Sequence, residues 1–391
     1  MKSFEEALDL MLSCEYHAQT EKVDIMECLG RILAEDVTSD INMPPFDKSA
    51  MDGYAARRCD LGKPLEVIET IKAGDIPQKK IHTCQCSKIM TGSIIPEGAD
   101  CVIMVEETEQ HTANTILFTG RYRKSNIALK AEDIAVGTVV LKKSTLIRPQ
   151  EVAVLATVGC VQPLVFKMPR IIILSTGDEI VEPHIKPSNG KIRNSNAYQL
   201  HAQILKMHFK SSYGGIICDT PQKLEETLAH ALSNHDLIIL TGGISMGDYD
   251  YVPDILKKLG VDLCVQKIDI KPGKPTIFGQ KHNTFVFGLP GNPVSSFVIF
   301  ELFTKPFIYK MAGHTYEPRV LSLPMADDYT VKGINRLSWQ PIVITPQKTV
   351  EAVRYHGSGH IHALSKADGI MRVEAGKAKI LKGEQVHVRQ I

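Results

Sequence analysis

A chain of 391 residues, 43% hydrophobic and 23% charged, has the length of about two to three domains, each able to bury its own core. Lysine and arginine number 45 against 44 aspartates and glutamates, so no global basic field favours nucleic acid or an anionic membrane, and any anion must be bound locally. Nine cysteines without a CxxC pair argue against a disulfide framework and for a reducing compartment.

The opening MKSFEEALDLML predicts an amphipathic helix rather than a signal peptide, and the expected location is cytoplasmic. Ser3 and Glu6 form a capping box, and Phe4, Ala7, Leu8, Met11 and Leu12 share one face. From about Ile41 to Leu141, short apolar runs broken by Gly, Pro and Asp predict a β-rich module, in which Cys84 and Cys86 read as strand neighbours. Arg148 to Gly159 reads as a helix, with Pro149 near its start and Gly159 past its end. Strand and helix then alternate three times: RIIIL (170–174) and Asn196 to Phe209, Gly214 to Cys218 and Thr220 to Leu232, DLIIL (236–240) and Val252 to Leu259. That alternation predicts a doubly wound, mostly parallel sheet in an α/β multidomain protein. Val294 to Ala312 is apolar but interrupted by Glu301, Lys305 and Lys310, so it reads as a core helix and not a membrane span. After Gly313 the runs RVLSL, PIVI, EAVRY, GIMRV and QVHVR predict a small C-terminal β-barrel.

Ligands of a doubly wound sheet bind beyond the carboxyl ends of its strands, and that is where the unusual residues fall. STGDE (175–179) follows RIIIL, Asp219 follows GIIC, TGGISMGDYD (241–250) follows DLIIL, and LPGNPVSS follows FVFG. Ser175, Thr176, Gly177, Gly242, Gly243 and Pro290 to Pro293 (with Gly291 and Asn292 between them) suit a phosphate or nucleotide wall. Asn292 and Pro293 serve equally well as a plain helix start. Lys271 and Lys274 in KPGKP add positive charge. Asp178, Glu179, Asp219, Asp248 and Asp250 share that edge, and carboxylates beside phosphate call for a hard cation, so Mg²⁺ is the expected cofactor. In PPFDKSAMDGYA, Asp47, Lys48, Ser49 and Asp52 crowd a turn whose alternative reading is an exposed loop with Asp47 in an Asx turn. Thr91, Glu132 and Asp133 sit on polar tips of the β module. His356, His360 and His362 read as a polar loop, with no cysteine or carboxylate close by to complete a metal set.

PPFDKSAMDGYA, IMTG, STGDE, IRNSN, TGGISMGDYDYV, KPGKP and GLPGNPVSS, in this order over essentially the whole chain, resemble the molybdopterin molybdenumtransferase family, which includes the C-terminal domain of gephyrin. The doubly wound motifs alone are shared with molybdopterin adenylyltransferases; PPFDKSAMDGYA and the C-terminal β module separate the two. The resemblance implies molybdate insertion into adenylylated molybdopterin, with Mg²⁺-dependent release of AMP. The alternatives are a molybdopterin adenylyltransferase and a non-catalytic, gephyrin-like scaffold. It implies four domains, 1–40 with 141–166, 41–140, 167–312 and 313–391, in a homodimer whose β module faces the sheet domain of the other subunit, and a possible contact with molybdopterin adenylyltransferase. Carried residue by residue, it implies a catalytic set of Asp52, Thr91, Asp133, Asp219 and Asp250, with Asp178, Glu179, Asp219 and Asp250 on metal. Lys271 and Lys274 fall on phosphate, Gly243, Ser245 and the 290–293 loop on the nucleotide and pterin, and Ser358 is the one obvious hydroxyl of the C-terminal loop. Thr220 stands where the family often has a second acid, and is expected to cap the following helix.

Overall fold

The computed structural model describes residues 1–244, 251–331, 333–354, 357 and 359–391. The chain forms two compact units, one of residues 1–35, 144–149 and 162–391, the other of residues 36–143 and 150–161. None of the described helices is long and apolar enough to cross a membrane.

In the larger unit the first helix, Phe4–Ser13, begins as expected. Glu6 N donates to Ser3 Oγ at 3.1 Å and Ser3 N to Glu6 Oε2 at 2.8 Å, closing the capping box. Its Phe4 ring packs edge-on to Phe303 at 5.1 Å and lies 5.8 Å from Trp339. Next comes a six-stranded sheet ordered 211–217, 171–176, 237–241, 284–289, 277–281, 262–265. The first four strands are parallel; 277–281 runs against 284–289, and 262–265 against 277–281. Period-two alternation splits each strand between two cores. Ile171, Ile173, Ile239 and Phe287 face Leu200 and Ile204 of the helix Asn196–Lys206, while Ile172, Leu174, Ile238 and Val286 face Leu224 and Leu228 of Pro221–Asn234. The alternation of strands and helices did not predict these antiparallel strands; TIFGQK (276–281) and TFVFG (284–288), joined by only two residues, form a hairpin.

The long apolar segment is not one α-helix. It runs Pro293–Ile299, then a π-helical turn Phe300–Thr304, then Lys305–Met311. The C-terminal runs form the expected strands, Val320–Pro324, Leu337–Ile344, Val350–Ala352, Gly369–Val373 and Gln385–Gln390. Met371, Val373, Val386 and Val388 close their core. Their sheet is completed by Ile270–Lys271, which pairs in parallel with Leu337–Ser338.

The smaller unit carries a six-stranded sheet ordered 101–104, 53–56, 85–89, 65–71, 115–118, 108–112. Strand Gly53–Ala56 lies between 101–104 and 85–89 and is wholly buried, with Tyr54 and Ala56 packed on one side and Ala55 on the other.

Candidate functional site

The carboxyl ends of the parallel strands carry the acidic and glycine-rich segments, and the last of them, at Pro290 and Asn292, borders a cavity lined by charges of both signs. At the acidic exits, Asp178 N donates to Asp219 Oδ2 at 3.3 Å and Asp219 N donates to Asp178 Oδ1 at 3.2 Å. Two neighbouring strand exits are thereby locked by reciprocal bonds, each carboxylate receiving the other's backbone N–H. The Glu179 carboxylate folds back over Gly177, where a Cβ would lie 2.7 Å from Glu179 Oε2; with φ at +138°, only glycine fits there without strain. Ser175 and Thr176 are buried at the strand end.

In the next exit, Gly242 and Gly243 both have positive φ, and a Cβ on Gly243 would sit 2.5 Å from Thr176 Oγ1. Among the described residues that buried hydroxyl has no hydrogen-bond partner, and neither has Asn196 Oδ1. Asn196 Nδ2 meanwhile donates to the Gly291 carbonyl at 2.8 Å, tying the IRNSN segment to the PGNP loop. Buried polar groups left unpaired are rare, and two of them beside the glycine turn are suited to a polar ligand. Ser245, Asp248, Asp250, His356 and Ser358 lie outside the described residues.

Beside the Pro290 exit lies a cavity of about 810 Å³, of the size that holds a nucleotide-like molecule. Lys271, Lys274, Pro290 and Asn292 line it from the sheet domain; Asp327, Asp328, Arg336, Glu351, Arg354 and Gly357 line it from the C-terminal strands and loops. Lys271 stands there because its strand belongs to the C-terminal sheet. Arg336 and Arg354 carry no motif, and only the folded C-terminal sheet brings them to the lysines.

Two expected caps are absent as side-chain bonds. Asn292 and Thr220 occupy the N-cap positions of Pro293–Ile299 and Pro221–Asn234, yet neither side chain bonds its helix; a proline at the first helical position already removes one of the free donors. The Asn292 side chain instead faces Gly359, at 4.0 Å from a Cβ built there.

In the smaller unit Asp52 Oδ1 accepts from both Thr91 N at 2.7 Å and Thr91 Oγ1 at 2.9 Å. Those two bonds, the backbone one first, hold the exposed carboxyl below its ordinary pKa, so it is charged at neutral pH. Asp47 is not in an Asx turn: its Oδ1 accepts from Lys130 N at 2.7 Å, a partner 83 positions along the chain. Asp133 N donates to the Met43 carbonyl at 3.0 Å, Ala131 N to the Pro44 carbonyl at 2.9 Å and Gly92 N to the Ser49 carbonyl at 2.8 Å, while Glu132 Oε2 accepts from Leu129 N at 2.8 Å, so PPFDKS, IMTG and KAED form one loop cluster. This unit therefore groups Asp52 with Thr91, and Asp47 with the 129–133 tip.

Among the described residues no three or more His, Cys, Asp or Glu side chains converge as a metal set. The chemistry of the donors nonetheless fits Mg²⁺. That ion takes one or two protein carboxylates and completes its shell with water and phosphate oxygens, and Asp178 and Asp219 supply such a pair.

Comparison with known proteins places relatives along the whole chain. Residues 2–159 match the MoeA N-terminal region (domain I and II), residues 172–310 a probable molybdopterin binding domain, and residues 323–391 the MoeA C-terminal region (domain IV). The molybdopterin molybdenumtransferase of Nostoc sp. is 33% identical over 398 residues, covering 98% of this chain and 91% of its own. That of Haemophilus influenzae is 34% identical, covering 99% and 98%. The crystal structure of a molybdopterin biosynthesis moeA protein from Pyrococcus horikoshii superposes over 100% of both chains with a TM-score of 0.86 at 30% identity.

Proposed function

Since the chain belongs to the molybdopterin molybdenumtransferase family, we propose that it inserts molybdenum, supplied as molybdate, into adenylylated molybdopterin and releases AMP. The observation that carries this reading is the Asp178–Asp219 pair at the strand exits together with a nucleotide-sized cavity that Lys271, Lys274, Arg336 and Arg354 line alongside Asp327, Asp328 and Glu351. A phosphoanhydride needs that combination, cationic side chains on its phosphates and carboxylates for a bridging cation. Asp178 and Asp219, with Glu179 and Asp250, would hold Mg²⁺, which when bound neutralises charge developing on the phosphoryl oxygens. Lys271 and Lys274 would bind phosphate oxygens. Ser175, Thr176, the Gly242–Gly243 turn and the 290–293 loop would seat the substrate without side-chain obstruction, together with Ser245 and Ser358. Asp52 stays charged through Thr91 and would join Asp133 in orienting the reacting groups.

The assay supplies adenylylated molybdopterin with and without molybdate and Mg²⁺ and follows AMP. Release that depends on both is expected; a requirement for ATP would make the protein an adenylyltransferase, and no nucleotide chemistry at all a scaffold. A cytoplasmic location and contact with molybdopterin adenylyltransferase belong to the same proposal, as does the four-domain division given above, which the separate matches to residues 2–159, 172–310 and 323–391 support.

The family resemblance also supports a homodimer with two equivalent composite sites, the β module of one subunit facing the sheet domain of the other. Asp52→Ala and Asp219→Ala proteins, each nearly inactive alone, are then expected to regain activity on co-expression. One site of the mixed dimer carries both lesions and the other none, so isolated heterodimers should reach about half of normal activity and a random mixture about a quarter. Heterodimers as inactive as either parent would show that both residues serve one subunit's site.

A further inference from the structure

The loop from Gly177 to Asn194 returns to the sheet through a short parallel pairing of Ile180–Val181 with Ile192–Arg193, extended by Ile192 N to Glu179 O and Asn194 N to Val181 O, both 2.8 Å. It is fastened to the edge strand Ser211–Ile217 and its exit at two places. One is the Asp178–Asp219 exchange described above. The other is a chain of side chains. Tyr213 donates to Glu182 Oε1 at 2.6 Å and accepts from Asn194 Nδ2 at 2.9 Å, while the second Nδ2 proton goes to Ser175 Oγ at 3.0 Å. Thr241 Oγ1 approaches the same Ser175 oxygen at 3.5 Å, and Tyr198 donates to the other Glu182 oxygen at 3.0 Å. The donors run outward from Asn194, through Tyr213 to Glu182 on one side and to Ser175 on the other, with Tyr198 donating to Glu182 and Thr241 to Ser175 from outside, and Asn194 and Ser175 are buried at 3% and 0% exposure. Burial first, and then the Glu182 carboxylate, push the Tyr213 phenol above its ordinary pKa, so it stays a donor at neutral pH.

We propose that Tyr213, oriented by Glu182, is a positioning residue for the reaction: through Asn194 it sets Ser175 and the start of the loop that carries Asp178. The proposal rests on the functional reading above. A structural tyrosine would act through its ring, which packs on Tyr198 at 5.7 Å; a positioning tyrosine acts through its hydroxyl. Tyr213→Phe separates the two, since it keeps the ring and removes only the hydroxyl.

The test combines turnover, thermal unfolding and amide hydrogen exchange on Tyr213→Phe, Glu182→Ala, Glu182→Gln and the Tyr213→Phe/Glu182→Ala double variant. Tyr213→Phe is expected to lower kcat about tenfold with KM for adenylylated molybdopterin within about twofold and an unchanged unfolding midpoint. Amides of Ile192 and Asn194 should exchange faster. Glu182→Ala should match it, Glu182→Gln, which keeps an acceptor oxygen, should recover most of the loss, and the double variant should be no worse than the worse single one, as members of one chain are. The proposal is overturned by kcat within twofold of the parent with unchanged exchange, by losses that multiply in the double variant, or by kcat that falls only in step with the unfolding midpoint. If the parent protein itself releases no AMP, the functional reading has failed, and the exchange measurement still decides whether the hydroxyl holds the loop.

Discussion

Asp219→Ala is expected to lower molybdate-dependent AMP release by about a hundredfold or more while the thermal midpoint stays within a few degrees of the parent's. The change removes one of two carboxylates facing each other at neighbouring strand exits, together with the acceptor of the Asp178 N–H. Fold stability should suffer little, because the pair lies at an exit and not in either core, and the following helix starts at Pro221 with no side-chain cap to lose. Asp219→Asn sharpens the test. Its amide oxygen can still accept the Asp178 N–H, so the loop geometry survives while the charge does not. If charge on a bridging cation is the function, the asparagine protein is nearly as inactive as the alanine one; if geometry is the function, it recovers. Activity within about threefold of the parent for the alanine protein would place Asp219 among structural residues and remove the metal reading at this strand end.

Glu301→Ala is expected to cost about 3–5 kcal/mol of unfolding free energy, read from urea denaturation. Glu301 lies in the π-helical turn and is 4% exposed. Its carboxylate accepts from Lys305 Nζ at 2.8 Å and from Gln203 Nε2 at 2.9 Å, and its carbonyl accepts from Arg389 at 3.2 Å. Burial by itself would push Lys305 down; the Glu301 carboxylate more than offsets this, and the ammonium is held above its ordinary pKa. Because that pKa is raised, the stabilisation is fully present at neutral pH and is lost only as pH climbs through the alkaline range where Lys305 deprotonates in the folded protein. Removing Glu301 leaves the cation buried without its carboxylate, with Tyr316, whose ring lies 5.2 Å away, as a weak substitute. Replacing both partners, Glu301→Met with Lys305→Met, should cost far less than the single change, since no charge is then left unpaired. A single variant as stable as the parent would mean that water reaches Lys305 and that the pair is not a buried one.

Most of the elements, and the gathering of the glycine-rich and acidic segments at one sheet edge, follow from local sequence. Strands such as IIIL and LIIL and helices with apolar faces are set by local periodicity. Gly and Pro at each strand exit fix a turn whatever lies around it, so STGDE, TGG and LPGNP had to gather at one sheet edge once the alternation made the sheet parallel. The capping box of Ser3 and Glu6 was equally legible, because its partners are three residues apart. Partnership at long range was decided by tertiary structure alone. Glu301 and Lys305 look in sequence like interruptions of an apolar run; only folding shows them as a buried ion pair answered by Gln203, about a hundred positions away. Arg336 and Arg354 reach the lysines because Ile270–Lys271 pairs with Leu337–Ser338, and Tyr213 finds Asn194 because an edge strand passes the end of a returning loop. Asp47, Asn292 and Thr220 teach the same point from the other side. Their side chains have local options, a turn or a cap, which the fold leaves unused: Asp47 has a distant N–H to accept, and a proline at the start of each helix already removes one donor to be capped. Local chemistry specifies what a residue can do, and the energy of burying it beside a particular neighbour selects which of those it does.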